Sequence, residues 1–163
     1  MRGIHATALF CEDIRREASR RDTLIGVFAD NVYLSRFPGA LRRLQLYFRI
    51  RLDPSLAYNE PITVDIDIPG SDIEVEDVKV DPVPKEIIEQ SIKKARDQQL
   101  PFATIIARLS LSEPFPVPSP RTIKAIVRYG DESEVCGVLN IMERSTDAPI
   151  SSEQPPSQSP SGA

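Results

Sequence analysis

Across residues 44–52 apolar and polar side chains alternate without a break. Leu44, Leu46, Phe48, Ile50 and Leu52 are separated by Gln45, Tyr47, Arg49 and Arg51. A strand sends successive side chains to opposite faces, so this period of two predicts a strand with one buried face and one basic face. Ile62, Val64, Ile66 and Ile68 alternate with Thr63, Asp65 and Asp67 in the same way, which predicts a second strand with an acidic outer face. Pro69-Gly70 interrupts it. Ile73, Val75, Val78 and Val80 resume the pattern, with a slip of phase at Asp77 of the kind a β-bulge produces.

Weaker strand patterns cover Ile4–Phe10, Thr23–Phe28, Asn31–Leu34, Thr104–Leu111, Thr122–Tyr129 and Val135–Met142. The last two flank the polar run Gly130-Asp131-Glu132-Ser133-Glu134, which predicts a hairpin. One helix is expected after Pro84, taken as its first residue, with Ile88, Ile92 and Ala95 as a narrow apolar stripe and Pro101 as its stop. Glu86 and Glu89 suit its positive end, Lys93, Lys94 and Arg96 its negative end, and Glu89 and Lys93 form an i,i+4 pair. A short turn is expected at Pro38–Arg43. Glu113–Pro120, with four prolines, reads as a stiff extended connection that no central strand can accommodate. Alternation this clean belongs to antiparallel sheets with one wet face. The fold expected is mainly β: an antiparallel β-sandwich or partly open barrel of about eight strands with one helix. The globular domain is assigned to residues 1–144, and residues 145–163, rich in Ser and Pro, to a disordered tail.

Composition narrows the class. A hydrophobic fraction of 40% supports a core without disulfides or metal. No apolar run approaches the roughly 20 residues of a membrane span. The N-terminal stretch reads as a strand rather than an export signal, which points to the cytoplasm. Cys11 and Cys136 are far apart with no C-x-x-C partner, so no zinc or redox signature is present, and both read as small hydrophobes. A Cys11–Cys136 disulfide is the disfavoured alternative in a reducing compartment. The net charge of −4 is segregated: residues 1–52 carry ten Lys/Arg against five Asp/Glu, and residues 53–89 two against eleven. Such blocks signal either pairing between strands or opposed faces that favour association.

Candidate chemistry is sparse. Asp65-x-Asp67-x-Pro69-Gly70, with Glu76 twelfth from Asp65, matches part of an EF-hand loop but puts Pro69 where a side-chain oxygen is needed. The favoured reading is a solvated strand face beside a turn. The alternative is a calcium site of other geometry drawn from Asp65, Asp67, Asp72, Glu74 and Glu76. His5 and Cys11 lie about 20 Å apart along one strand, too far for a catalytic pair. Arg15, Arg16, Arg20 and Arg21 are interleaved with Glu12, Asp13, Glu17 and Asp22, so local salt bridges are expected there rather than nucleic-acid contacts. Arg42, Arg43, Arg49, Arg51 and the stacking face of Tyr47 are the other phosphate candidates, against a pI near 5.1. Nucleotide-binding glycine motifs and the nucleophile and zinc motifs of hydrolases are absent, and no cofactor is implied.

The run Phe10-Cys11-Glu12-Asp13-Ile14-Arg15-x-Glu17, followed by Thr23-Leu24-Ile25-Gly26-Val27-Phe28, resembles the N-terminal half of a family of small bacterial proteins classed as a domain of unknown function. The likeness covers roughly residues 4–70. It implies a mostly β protein of a bacterium or its phages and carries over no catalytic residue. Two functional readings follow. The favoured one is a non-enzymatic binding or assembly module, engaging a protein partner or a second copy through Arg49 and Arg51, without nucleic acid or membrane. The other is a metal-dependent enzyme or effector using Asp65–Glu76.

Overall fold

A computed structural model describes residues 1, 3–69, 82–111 and 113–144. Within them the chain runs β1 (Ile4–Arg16), β2 (Asp22–Val27), β3 (Asn31–Leu34), β4 (Gly39–Leu41), β5 (Gln45–Leu52), β6 (Ile62–Asp67), α1 (Lys85–Asp97), β7 (Ala103–Ser110), β8 (Phe115–Val117), β9 (Arg121–Tyr129) and β10 (Glu132–Glu143). Two four-stranded sheets form an open sandwich. The first has the order β2-β1-β5-β7, all antiparallel; the second has the order β3-β10-β9-β6, with β3 parallel to β10. A small third sheet pairs β4 with β8.

The alternating residues do what their period demands. Leu46, Phe48, Ile50 and Leu52 of β5 are buried, as are Ile62, Val64 and Ile66 of β6, while the residues between them face outward. Ile123, Ala125 and Val127 of β9 and Leu139 and Ile141 of β10 complete the second sheet's inner face. The expected hairpin joins β9 and β10 through Gly130-Asp131. The two sheets come into close contact where Gly137 of β10 meets β1. A Cβ there would lie 2.8 Å from the Ala8 carbonyl oxygen, so only glycine fits without a shift. Gly137 follows a register break after Val135 that the sequence pattern did not reveal.

Several local expectations are corrected. Pro84 is the N-cap of α1 rather than its first residue, with its carbonyl accepting from the Ile88 amide at 3.3 Å. The i,i+4 ion pairs on the helix are Lys85–Glu89 at 3.9 Å and Lys93–Asp97 at 3.0 Å, not Glu89–Lys93. Ile88, Ile92 and Ala95 are buried as expected, and the helix runs against β7. The Pro38–Arg43 segment contains strand β4, and Phe115–Val117 of the proline-rich connection pairs with it, burying Phe115 and Val117. A tertiary pairing partner, invisible locally, makes the difference in both. β1 does not end at Phe10 but continues to Arg16 against β2. The strand expected at Ile73–Val80, the bulge at Asp77 and the segment 145–163 lie outside the described residues.

Candidate interaction surface

Arg49 and Arg51 project from the outer face of the first sheet, in the middle of three strands in register. Rows across β1, β5 and β7 read His5–Arg51–Thr104, Thr7–Arg49–Ile106 and Leu9–Tyr47–Arg108. No described carboxylate lies within ion-pair distance of Arg49 or Arg51. The Arg51 guanidinium instead sits 5.9 Å from the centre of the Phe102 ring, a cation–π distance, and His5 meets the same ring edge-on at 6.2 Å. Leu9 is 45% exposed and Phe102 37%. Arginine, aromatic and aliphatic groups thus share one accessible face, the composition that marks the anchoring centres of protein interfaces.

The β1–β2 hairpin bounds this face at one end. The register places Asp22 opposite Arg16, about 17 Å beyond Cys11, the last β1 residue paired with β5. Yet the Asp22 carboxylate accepts two hydrogen bonds from Arg108 of β7, the opposite edge strand, one of them at 3.1 Å from Nε. Ile14 N–H donates to Gln45 Oε1 at 2.9 Å along the way. Both contacts require the hairpin to curl over the outer face instead of extending the plane of the sheet. Of the salt bridges expected around Arg15–Arg21, only Arg15–Asp13, at 3.0 Å, is local; Asp22 is drawn into this long-range pair.

Asp65 and Asp67 lie on the second sheet, not beside Arg49 and Arg51. Of the two readings the charge blocks left open, pairing between strands therefore does not join these carboxylates to those arginines. Arg128 of β9 holds Asp65 at 3.1 Å, and Lys124 lies 3.7 Å from Asp67. Both carboxylates are engaged with cations of a neighbouring strand, and no group of three or more potential metal ligands occurs among the described residues. Asp72, Glu74 and Glu76 lie outside those residues.

The cysteines are both free. Burial, reinforced by Asp13, pushes the Cys11 thiol up to about 11; burial, reinforced by Glu134, does the same to Cys136. Values this high keep both thiols protonated near neutral pH. Burial also raises the Tyr58 hydroxyl, whose single proton is shared between the carbonyls of Gly3 at 2.8 Å and Asp53 at 3.1 Å, tying the residue before β1 to the β5–β6 connection. A shallow cavity of about 320 Å³ lies between α1 and residues 56–59, with Lys85, Lys93 and Arg96 facing Glu89 and Asp97. Lys85 and Lys93 are paired with Glu89 and Asp97, and the third cation, Arg96, is committed to the Pro54 and Leu56 carbonyls.

The sequence pattern placed Arg49 and Arg51 on the outer face directly. It missed Arg108, His5 and Phe102, because membership of this face depends on which strands flank β5. No described helix is long and apolar enough to cross a membrane. Comparison of the chain with family models, curated proteins and solved structures finds no match.

Proposed function

We propose that this protein is a non-enzymatic binding module that engages an acidic protein partner through the outer face of its first sheet. The observation that carries this reading is the charge contrast between the two outer faces. The first presents Arg49 and Arg51 with no counter-charge among the described residues; the second neutralises Asp65 and Asp67 within its own sheet. A self-assembly that joins Arg49 and Arg51 to Asp65 and Asp67 of another copy would first have to break those two ion pairs. A hetero-partner is the better fit. The resemblance to a small bacterial family supports a search for that partner among bacterial or phage assembly proteins.

Polyglutamate serves as a generic acidic probe. Its binding, followed by fluorescence anisotropy, should weaken as salt rises, since exposed charges are screened beyond about 10 Å at 0.1 M. Arg49→Glu with Arg51→Glu should abolish it while leaving the thermal transition in place. Equal binding by wild type and variant would refute the reading, as would a wild-type protein that light scattering shows to assemble into an oligomer dispersed by the same substitutions.

A further inference from the structure

We infer that the free edge of β7 is a docking strand for an extended acidic segment of a partner protein, which would add to the first sheet as a fifth strand. This rests on the reading of the basic face above and specifies how a partner would be held there.

The backbone phase comes from two hydrogen bonds. Leu111 N–H donates to the Leu44 carbonyl at 3.0 Å, and this pair continues the β5–β7 register. In an antiparallel ladder, pairs that exchange hydrogen bonds alternate with pairs that do not. The bonded residues of β7 are therefore Ala103, Ile105, Ala107 and Leu109. Asp53 N–H donating to the Gly3 carbonyl at 2.9 Å sets the same phase on the other side of β5, where Gln45, Tyr47, Arg49 and Arg51 turn their backbone toward β1. It follows that Thr104, Ile106, Arg108 and Ser110 direct their N–H and C=O groups away from the sheet. No described strand pairs with that edge. The same four residues carry the side chains that share the outer face with Arg49 and Arg51.

Edge strands are usually blunted by shortness, proline, bulges, charged side chains or a covering helix or loop; β7 packs against α1 and carries Arg108, whose charge is engaged by Asp22. β7 is eight residues long, regular throughout its pairing with β5, and contains no proline. The edges of the second sheet differ. β3 has four residues, and β6 is preceded by Pro61 and met at Ile62 by a bridge from Val83. A strand added to β7 would place every second side chain on the outer face, beside Thr104, Ile106 and Arg108 and one strand away from Arg49 and Arg51. Carboxylates at those positions would meet the unpaired guanidinium groups. Two copies of β7 paired edge to edge would instead set two basic faces side by side, so charge selects an acidic hetero-partner over a second copy.

The test uses the full chain and a synthetic peptide alternating glutamate and valine. By amide hydrogen exchange, Ile106 and Arg108 should exchange fast in the free protein while Ile105 and Ala107 are protected, and the peptide should slow Ile106 and Arg108 selectively. Ile106→Pro removes an outward N–H that β5 does not use. It should lower peptide affinity about tenfold, the loss of one or two backbone hydrogen bonds, with the fold checked by circular dichroism. If Arg49→Glu with Arg51→Glu abolishes binding but the peptide leaves the Ile106 and Arg108 amides unprotected, strand addition is refuted and the basic-face reading survives. If that double variant binds as well as wild type, both fall. A single-stranded oligothymidylate that outcompetes the peptide would also overturn the proposal in favour of nucleic acid.

Discussion

The two sheets of this sandwich have equivalent inner faces and opposite outer ones. Both bury alternating aliphatic residues, and both place ionic side chains outward at the alternate positions. On the second sheet β6 lies next to β9, so Asp65 meets Arg128 and Asp67 meets Lys124 across the strands. On the first sheet β5 lies between β1 and β7, whose residues paired with it offer His5, Thr7, Leu9, Thr104, Ile106 and Arg108 but no acid, and Asp22 of the curled hairpin pairs with Arg108 instead of Arg49 or Arg51. Exposed charge becomes available for recognition where the neighbouring strands fail to neutralise it.

The largest effect should separate the inside of β5 from its outside. Phe48→Ala should cost about 3–5 kcal/mol in urea unfolding, because Phe48 is fully buried, whereas Arg49→Ala should cost less than about 0.5 kcal/mol. Similar losses from both would show that the two sides of β5 are not distinct. Next, Arg108→Ala should cost about 1–3 kcal/mol, since it strands the Asp22 carboxylate, whose side chain is 7% exposed. If hydrogen exchange at the β1–β2 hairpin stays unchanged in that variant, the hairpin is not anchored across the first face.

The second face can be made to resemble the first. Asp65→Asn with Asp67→Asn should cost only about 0.2–1 kcal/mol per pair, yet it frees Arg128 and Lys124. This variant should bind polyglutamate more tightly than wild type. Unchanged binding would mean that counter-charge is not what distinguishes the faces. Calcium offers the complementary check: at millimolar concentration it should leave the melting temperature unmoved, because Asp65 and Asp67 are already engaged.

One pH effect should be shared by both sheets. Cys11 and Cys136 have folded-state values raised from 9.0 to about 11, so each favours folding while it stays protonated. That contribution is complete below pH 9 and is lost as pH rises from 9 to 11. The melting temperature should fall across this window, and less steeply with both cysteines replaced by alanine. Rapid alkylation of either thiol in the native protein at pH 8 would contradict it.

How much of this was legible in one dimension depended on how local the controlling forces are. The period of two in residues 44–52 and 62–68, the apolar stripe of Ile88, Ile92 and Ala95, and the β9–β10 hairpin are set by neighbours a few positions apart. The sequence alone therefore determined a mainly β chain with one helix, which side chains of residues 44–52 and 62–68 are buried, and that Arg49 and Arg51 face water. Strand adjacency is a different matter, because it is decided by the packing of the whole core. Only the tertiary structure seats β6 beside β9, carries Asp22 across to Arg108, makes strands of Gly39–Leu41 and Phe115–Val117, and leaves β7 at an edge. Each follows from contacts between residues far apart in the chain, whose mutual attraction no local pattern encodes, and together they decide which charges are neutralised and which remain to meet a partner.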